Sequence, residues 1–377
     1  MRVLLCPESS PGFLYPVVAT GRALLARGHA VTLLSADPTG PAARACGLPV
    51  LDAGAVAGPD APRAFRVDRW FLEGPAQYRA VLRAAREARP DVLVTSLLCP
   101  GALLAAERLD LPVVVVGLAV HLWPYAGGGA AEPEIGDTRE WRLNDVLTQY
   151  RKLREECGFR SRPRGGYGQH LLSGAACLLR GPAALEHPGA RLPAHVHRVG
   201  GLVWEPAPEP GVWEELRARL AAGGKPLVYV HLGRVFGGEG LWPRLEAAFA
   251  DGPFQAVVET GRTDGRAARP GPWLHPVRLP WLEPLVRGAT AVLGNGTSAP
   301  VLAALRHRRR LVLAPNGGEQ RLLAAACVRA GVAVPMPRSP VALHRLLAAP
   351  ATPPAATPPE GGPGRAAELV EEAARLG

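Results

Sequence analysis

The sequence carries two polar clusters whose residue types suit a phosphorylated sugar. Residues 294–298 read GNGTS and lie between a predicted apolar strand at 290–293 and a predicted helix. Backbone N–H groups at the start of a helix, with the positive end of its dipole, favour phosphate. Glu319 and Gln320 follow the next predicted strand, at 311–315, and offer donors and acceptors for sugar hydroxyls. We therefore predict that these two strand-to-helix turns lie side by side and cradle a phosphorylated, hydroxyl-rich ligand.

Strands that alternate with helices of about ten residues position these turns. Such alternation predicts parallel sheets with right-handed crossovers, and hence an α/β protein. Stretches rich in Pro and Gly divide the chain at 199–212 and 350–363. We expect a first domain at 1–198, a linker at 199–212 and a second domain at 213–349. A Pro-rich linker and a final helix, at 350–377, are expected to pack back on the first domain. Apolar strands are predicted at 2–6, 30–35, 48–51, 91–96, 111–116, 227–232, 255–260, 289–293 and 311–315.

The bulk composition limits the classes of protein. A chain of 377 residues with 47% apolar residues is long enough for two domains with full cores. The net charge of +10 comes almost wholly from Arg, and the basic run RHRRR at 306–310 lacks interleaved aromatics, so we expect no nucleic-acid binding.

Six cysteines without a CxxC pair indicate buried thiols in a reducing compartment. The N-terminal MRVLLCPESS breaks too early for a signal peptide, and no apolar run approaches a membrane span. A cytoplasmic protein is the expectation.

Nearly the whole chain resembles the GT-B glycosyltransferases of the UDP-glycosyltransferase superfamily. The likeness rests on the two βα halves, on the linker VGGLVWEP, and on LGNGTSAPVLAAL, which stands where the family carries HGGxGT before a helix. The pair Glu319–Gln320 matches the family's acidic residue and Gln. The closest likeness is to bacterial enzymes that decorate natural products, antibiotics among them, with sugars from UDP or dTDP. The resemblance implies two Rossmann-like domains facing each other across a cleft. It also implies inverting sugar transfer to an apolar acceptor, with no metal and no cofactor besides the nucleotide sugar.

Two positions depart from the family pattern. Phe13, in PGFLYP, stands where the family usually has a His, or in some members an Asp, that acts as general base, and a phenyl ring accepts no proton. Asn295 aligns with the His that donates to a phosphate, and a neutral amide carries no charge for that bond. A second interpretation therefore stays open, namely a glycosyltransferase-like protein that binds a ligand or partner without catalysis. An epimerase or phosphorylase on the same fold is a third, although epimerases need more carboxylates at the sugar site.

The candidate site residues follow from residue type and from the resemblance. Arg234 would replace the charge missing at Asn295, and Trp281 either stacks on the nucleobase or packs in the core. For the general base no residue stands out, and a His between apolar residues or an acid in a loop also has a purely structural interpretation. The partners implied are a nucleotide sugar and a small-molecule acceptor; a homodimer is left open. The candidates are Arg234, Trp281, Asn295, Gly296, Thr297, Ser298, Glu319 and Gln320 for the donor, Ser10, Phe13 and Trp123 for the acceptor, and His121 and Asp137 for catalysis, with Glu134, Glu8 and Ser10 as further bases.

Overall fold

The structure, a computed structural model, describes residues 1–54, 71–127, 139–233, 241–260, 271, 273–317, 319–349 and 361–376. These residues form two compact units. The first unit holds the described residues up to 205 together with the C-terminal helix, and the second holds those from 206 to 349. Across the described ranges, every helix falls short of the length and hydropathy that a membrane span needs.

The first unit is built on a parallel sheet of seven strands in the order β3-β2-β1-β4-β5-β6-β7. Its central strands β4 and β5 are buried along their whole length because helices cover both faces, and they are accordingly rich in Val and Leu. The strands are β1 (Arg2–Cys6), β2 (Ala30–Ser35), β3 (Val50–Asp52), β4 (Val92–Ser96), β5 (Val113–Val116), β6 (Ala176–Leu179) and β7 (Val196–Arg198). The helices are Pro11–Ala26, Pro41–Ala45, Gly74–Ala88, Pro100–Leu109, Arg139–Glu156, His170–Ser173 and Gly362–Leu376, with a 3₁₀ turn at Ala183–Leu185.

The second unit repeats the plan with a parallel sheet of six strands in the order β10-β9-β8-β11-β12-β13. Val228, Val230, Ala256 and Val258 on its central strands form a core with residues of the helix Trp242–Phe249. The strands are β8 (Leu227–His231), β9 (Gln255–Glu259), β10 (Leu274–Val277), β11 (Ala291–Gly294), β12 (Arg310–Leu313) and β13 (Val334–Pro335). The helices are Pro210–Gly223, Trp242–Phe249, Glu283–Gly288, Ser298–Arg306, Glu319–Arg329 and Pro340–Ala348.

Each sheet has one point at which the order of its strands reverses. In the first unit this switch point lies between β1 and β4, and in the second between β8 and β11. Open parallel sheets bind ligands in the crevice beyond the carboxyl ends of the two strands that flank such a point. The two switch points are therefore the places where site residues are to be sought.

The C-terminal helix Gly362–Leu376 belongs to the first unit. Its apolar face, which includes Leu369 and Val370, is buried in the same core as the helix Pro11–Ala26. The N–H of Gly362 donates to the carbonyl of Val199 over 2.7 Å, which ties the start of the helix to the end of the sheet region. The C-terminal helix thus completes the first unit's core.

The predicted α/β class with two parallel sheets is confirmed, although several element ends differ. The first helix begins at Pro11, because Pro fits the first helical position, where its missing N–H is not needed. The helix Pro210–Gly223 starts in the same way, inside the stretch expected to be the linker. The strands β6, β7, β10 and β13 were not predicted from the sequence.

Candidate functional site

In the second unit, the side chain of Asn295 bridges the switch point. Asn295 follows β11 and is wholly buried. Its Nδ2 donates to the carbonyl oxygen of Leu232, just after β8, over 2.9 Å. Its Oδ1 accepts from Thr297 N at 3.2 Å and from Thr297 Oγ1 at 2.7 Å. In this structure the amide therefore holds the turn together, and the phosphate contact predicted for it stays a prediction.

Gly296 brings the two predicted turns into direct contact. Its φ is +88°, a region that residues with a Cβ seldom adopt. A Cβ added there would lie 2.7 Å from the backbone oxygen of Gln320, which belongs to the turn after β12. The two turns are thus adjacent, as the sequence predicts, and only a glycine permits the approach.

The helix Ser298–Arg306 begins directly at this contact. Its N-cap residue is Thr297, whose hydroxyl is bound to Asn295 and does not cap the helix. Pro300 has no N–H, so Ser298 and Ala299 carry the first helical donors, and the first turn contains no acidic residue. The start of this helix accordingly presents a positive dipole end with no carboxylate of its own to neutralise it.

The loop after β12 holds its two polar residues in different ways. Gln320 is 2% exposed, and its Oε1 accepts from the backbone N–H of Asn316 over 3.2 Å. Glu319 is half-buried at the start of the helix Glu319–Arg329, where a carboxylate also favours the helix dipole. Gln320 therefore shapes the loop, and Glu319 is the more accessible of the two to a ligand.

His231 is a residue at the switch point that sequence reasoning missed. It ends β8 and is in register with Gly294 of β11. Its Nδ1 accepts from the N–H of Gly233 over 3.1 Å, so a neutral ring carries its proton on Nε2. The available signal was its position as the last residue of the apolar strand that precedes a glycine.

Trp281, predicted to contact the nucleobase, lies in the core of the second unit. Its ring is 3% exposed and packs edge-on against Trp213, with ring centroids 5.5 Å apart. This is the core alternative that the sequence left open, and a nucleobase contact stays a prediction that would require the indole to move.

In the first unit, the switch point carries a carboxylate and two hydroxyls. Glu8 follows β1, and its backbone N–H donates to Ser96 Oγ, at the end of β4, over 2.9 Å. The Oε2 of Glu8 accepts from the backbone N–H of Ser10 at 2.8 Å and also from the Ser10 hydroxyl. Phe13 lies in the first turn of the helix Pro11–Ala26 and is partly exposed. The turn thus brings Glu8, Ser10 and Ser96 together through bonds that fix one carboxylate oxygen.

A cavity of about 50 Å³ opens beside this carboxylate. Apolar side chains, among them Leu34, Val81 and Ala102, form much of its wall. Glu8, Glu73 and Gln77 are the charged or amide side chains that line it. Small-molecule sites share this combination of an apolar wall and a few converging polar groups, and a cavity of this volume admits one end of a ligand rather than a whole one.

The other acceptor-side candidates are buried in the first unit. His121 is 1% exposed; its backbone N–H donates to Glu186 over 2.7 Å, and its Nε2 is paired with Gln169 Oε1 at 3.2 Å. Burial lowers the pKa of His121 to about 4, so the ring is neutral at physiological pH. Trp123 is 2% exposed. Both have the surroundings of packed core residues, and their predicted roles stay predictions.

Three candidates lie outside the described residues. Arg234 falls in 234–240, and Glu134 and Asp137 fall in 128–138. Among the described residues, no group of three or more His, Cys, Asp or Glu could hold a metal ion.

Solved structures share this architecture over nearly the whole chain. The glycotransferase of kitacinnamycin is 18% identical, with a TM-score of 0.72 over 98% of each chain. CalG4, the calicheamicin glycosyltransferase, is 22% identical, with a TM-score of 0.68 over 99% of this chain and 98% of its own. The glycosyltransferase VinC, solved in complex with dTDP, is 18% identical, with a TM-score of 0.66 over the full length of both chains. No protein-family model and no curated protein matches the sequence.

These matches establish the fold. The two parallel-sheet, Rossmann-like domains predicted for a GT-B protein are confirmed, since the matched structures are glycosyltransferases with this fold. At identities of 15–22% the likeness extends to the path of the chain and not to individual residues. What the chain does has to be argued from its own switch points.

Proposed function

We propose that this chain is a glycosyltransferase that transfers a sugar from a nucleoside diphosphate to an apolar small-molecule acceptor, with inversion at the anomeric carbon. The second unit holds the donor and the first unit the acceptor. The observation that carries the proposal is the contact between Gly296 and Gln320, which joins two strand-to-helix turns beside the β8–β11 switch point.

The donor half of the proposal follows from the start of the helix Ser298–Arg306. Its dipole and its first N–H groups favour an anion, and a diphosphate is the anion that the turn after β12 can extend into a sugar site. Glu319, the accessible residue of that turn, would accept hydrogen bonds from sugar hydroxyls. Support for the nucleotide comes from VinC, which was solved with dTDP in the same fold.

The acceptor half follows from the cavity of the first unit. Its wall is largely apolar, which suits an apolar molecule, and Glu8 provides a polar contact for a hydroxyl. The matched proteins include glycosyltransferases of calicheamicin and spinosyn, which supports a natural-product acceptor.

Calorimetric titration of the full chain tests the donor half. We expect dTDP or UDP to bind in the micromolar range or tighter, with AMP as a control that carries no diphosphate. Incubation with dTDP- and UDP-sugars and a broad acceptor panel then tests transfer, with product identified by mass spectrometry. Failure of the chain to bind either dTDP or UDP would contradict the proposal.

A second candidate function is supported by a specific residue. Phe13 cannot act as a base, which favours a glycosyltransferase-like protein that binds ligands without turnover. Nucleotide binding with no transfer to any acceptor of the panel, measured by a thermal shift and by product analysis, would favour this alternative.

A further inference from the structure

We propose that Glu8 is the general base of the transfer reaction, with Ser10 and Ser96 as the residues that position it. This inference rests on the proposed function and deepens it, because it names the group that takes the acceptor proton. It is needed because Phe13 occupies the place at which the resemblance implies a basic imidazole.

Three features of Glu8 carry the inference. The first is its place: it follows β1 at the β1–β4 switch point, and its backbone is tied to Ser96 at the end of β4. Reactive groups of open parallel sheets lie at this edge. Glu8 is thus in the region where an acceptor bound to the first unit would present its hydroxyl.

The second feature is the orientation of the carboxylate. Its Oε2 is fixed by the Ser10 backbone N–H and the Ser10 hydroxyl. Its Oε1 is 3.5 Å from the hydroxyl of the exposed Ser9, a distance too long for a strong bond. One oxygen is therefore anchored, and the other remains the better placed to accept a proton.

The third feature is the cavity. Glu8 lines it together with apolar side chains, and no histidine is among the residues described as lining it. Glu73 lines the same cavity from the start of the helix Gly74–Ala88 and not from the end of a sheet strand. His121, the other candidate base, is buried and paired with Gln169.

The backbone beside Ser96 is also strained. Leu98, two residues later, has a φ of +67°, which a residue with a bulky side chain seldom adopts. Strain of this kind persists where the surrounding structure holds it, and it concentrates at functional sites. The turn that follows Ser96 therefore keeps an unfavourable conformation beside the residue that binds the Glu8 backbone.

The acceptor oxygen forms a bond to the anomeric carbon of the sugar as the bond from that carbon to the diphosphate oxygen breaks. The proton of the acceptor hydroxyl passes to the Glu8 carboxylate, and the electron pair of the broken bond leaves with the nucleoside diphosphate. Loss of a general base typically lowers a rate by about 10²–10⁴-fold.

Acceptors of graded acidity test this role in the full chain. With dTDP-glucose and UDP-glucose as donors, we compare 4-methoxyphenol with 4-nitrophenol at a mildly alkaline pH, where 4-nitrophenol is largely ionised and 4-methoxyphenol is still protonated. Glu8→Gln is expected to lower kcat by about 10²–10⁴-fold on 4-methoxyphenol and by less than about tenfold on 4-nitrophenol, because an ionised acceptor needs no base. The matched control is Glu87→Gln, which removes an exposed carboxylate of the same unit.

Other outcomes overturn the inference. An equal loss on both phenols would assign Glu8 a structural role, and the same acceptor dependence in Glu73→Gln would make Glu73 the base. Should Glu8→Gln fail to fold, Glu8→Asp keeps the carboxylate and is expected to lose less on 4-methoxyphenol than Glu8→Ala. Binding of dTDP without turnover of either phenol overturns the role of Glu8 but leaves donor binding in place. Absence of dTDP binding removes the proposed function itself.

Discussion

The two switch points of this protein are built alike, but the hydrogen bonds that bridge them run in opposite directions. In each sheet a side chain at the carboxyl end of one strand that flanks the switch point, β4 or β11, bonds to the backbone just after the other, β1 or β8. In the second unit, Asn295 donates to the carbonyl of Leu232, so a backbone acceptor is occupied. In the first unit, Ser96 accepts from the N–H of Glu8, so a backbone donor is occupied.

The side chains around each bridge extend this difference. The helix that starts at Ser298 has no acidic residue in its first turn. The helix that starts at Pro11 begins without an N–H, and the Glu8 carboxylate already accepts the N–H of Ser10. On the proposed function, one fold plan gives a turn that binds an anion and a turn that binds a hydroxyl and takes its proton. Variants at each turn test whether the two turns differ in function as they differ in charge.

The largest expected effect comes from Gly296→Ala. The positive φ alone costs a residue with a Cβ about 1–3 kcal/mol, and the approach of the Gln320 oxygen adds to it. We expect the dissociation constant for dTDP to rise by about ten- to a hundredfold, measured by calorimetry. The control is Gly288→Ala, since a Cβ there meets no atom within 4 Å and φ is not positive. A wild-type affinity in the Gly296 variant would mean that the nucleotide binds elsewhere.

The bridging side chains give the second test. Asn295→Ala and Ser96→Ala each leave a backbone group of the bridge without its partner, and each should lower the free energy of unfolding by about 1–3 kcal/mol. Denaturant titration measures both. Only Asn295→Ala should weaken dTDP binding, because we propose that the anion binds at that turn alone. If Ser96→Ala weakened nucleotide binding as much, the assignment of the donor to the second unit and of the acceptor to the first would be wrong.

A smaller effect is expected at the turn after β12. Glu319→Ala should weaken binding of dTDP-glucose more than binding of dTDP, by about 0.5–1.5 kcal/mol for the lost hydrogen bonds to the sugar. Paired calorimetric titrations measure the difference. Glu215→Ala, which removes an exposed carboxylate of the same unit, serves as the control. Equal losses for both ligands would show that Glu319 does not contact the sugar.

The smallest effect concerns the C-terminal helix of the first unit. Arg27 and His29 hydrogen-bond to Glu371 and lower the pKa of that carboxyl to about 2. A lowered pKa stabilises the fold above the ordinary carboxyl pKa, and this contribution is lost as pH falls from about 4.5 towards 2. Because these ion pairs lie near the surface, Glu371→Gln should lower the free energy of unfolding by about 0.2–1 kcal/mol at pH 7.

Thermal melts of Glu371→Gln and the wild type across this pH range provide the measurement. The difference in melting temperature should shrink as the pH approaches 2, and dTDP binding at pH 7 should not change. A difference that stays constant with pH would exclude a role for the ionised carboxylate.

The sequence predicted most interior strands of both sheets because buried parallel strands are continuous apolar runs. It missed the short interior strand β6 and also β7, β10 and β13, which lie at sheet edges. Edge strands are short and tolerate polar residues; β10 even contains Pro276, which an edge position accommodates. Periodicity carries little signal in strands of this kind.

The sequence also predicted which turns meet, since the glycine of GNGTS and the Glu–Gln pair follow neighbouring strands. It could not predict which polar and aromatic side chains the core would take up. Trp281 packs against Trp213, and His121 is hydrogen-bonded to Gln169 and Glu186, each distant in sequence. The sequence alone does not distinguish such residues from residues that line a ligand site.

A crystal structure of the full chain with dTDP tests the central claim most directly. We predict that diphosphate oxygens lie about 3 Å from backbone nitrogens at the start of the helix Ser298–Arg306, beside Gly296. Nucleotide bound at the first unit's turn, or away from both turns, would contradict the assignment of the donor to the second unit.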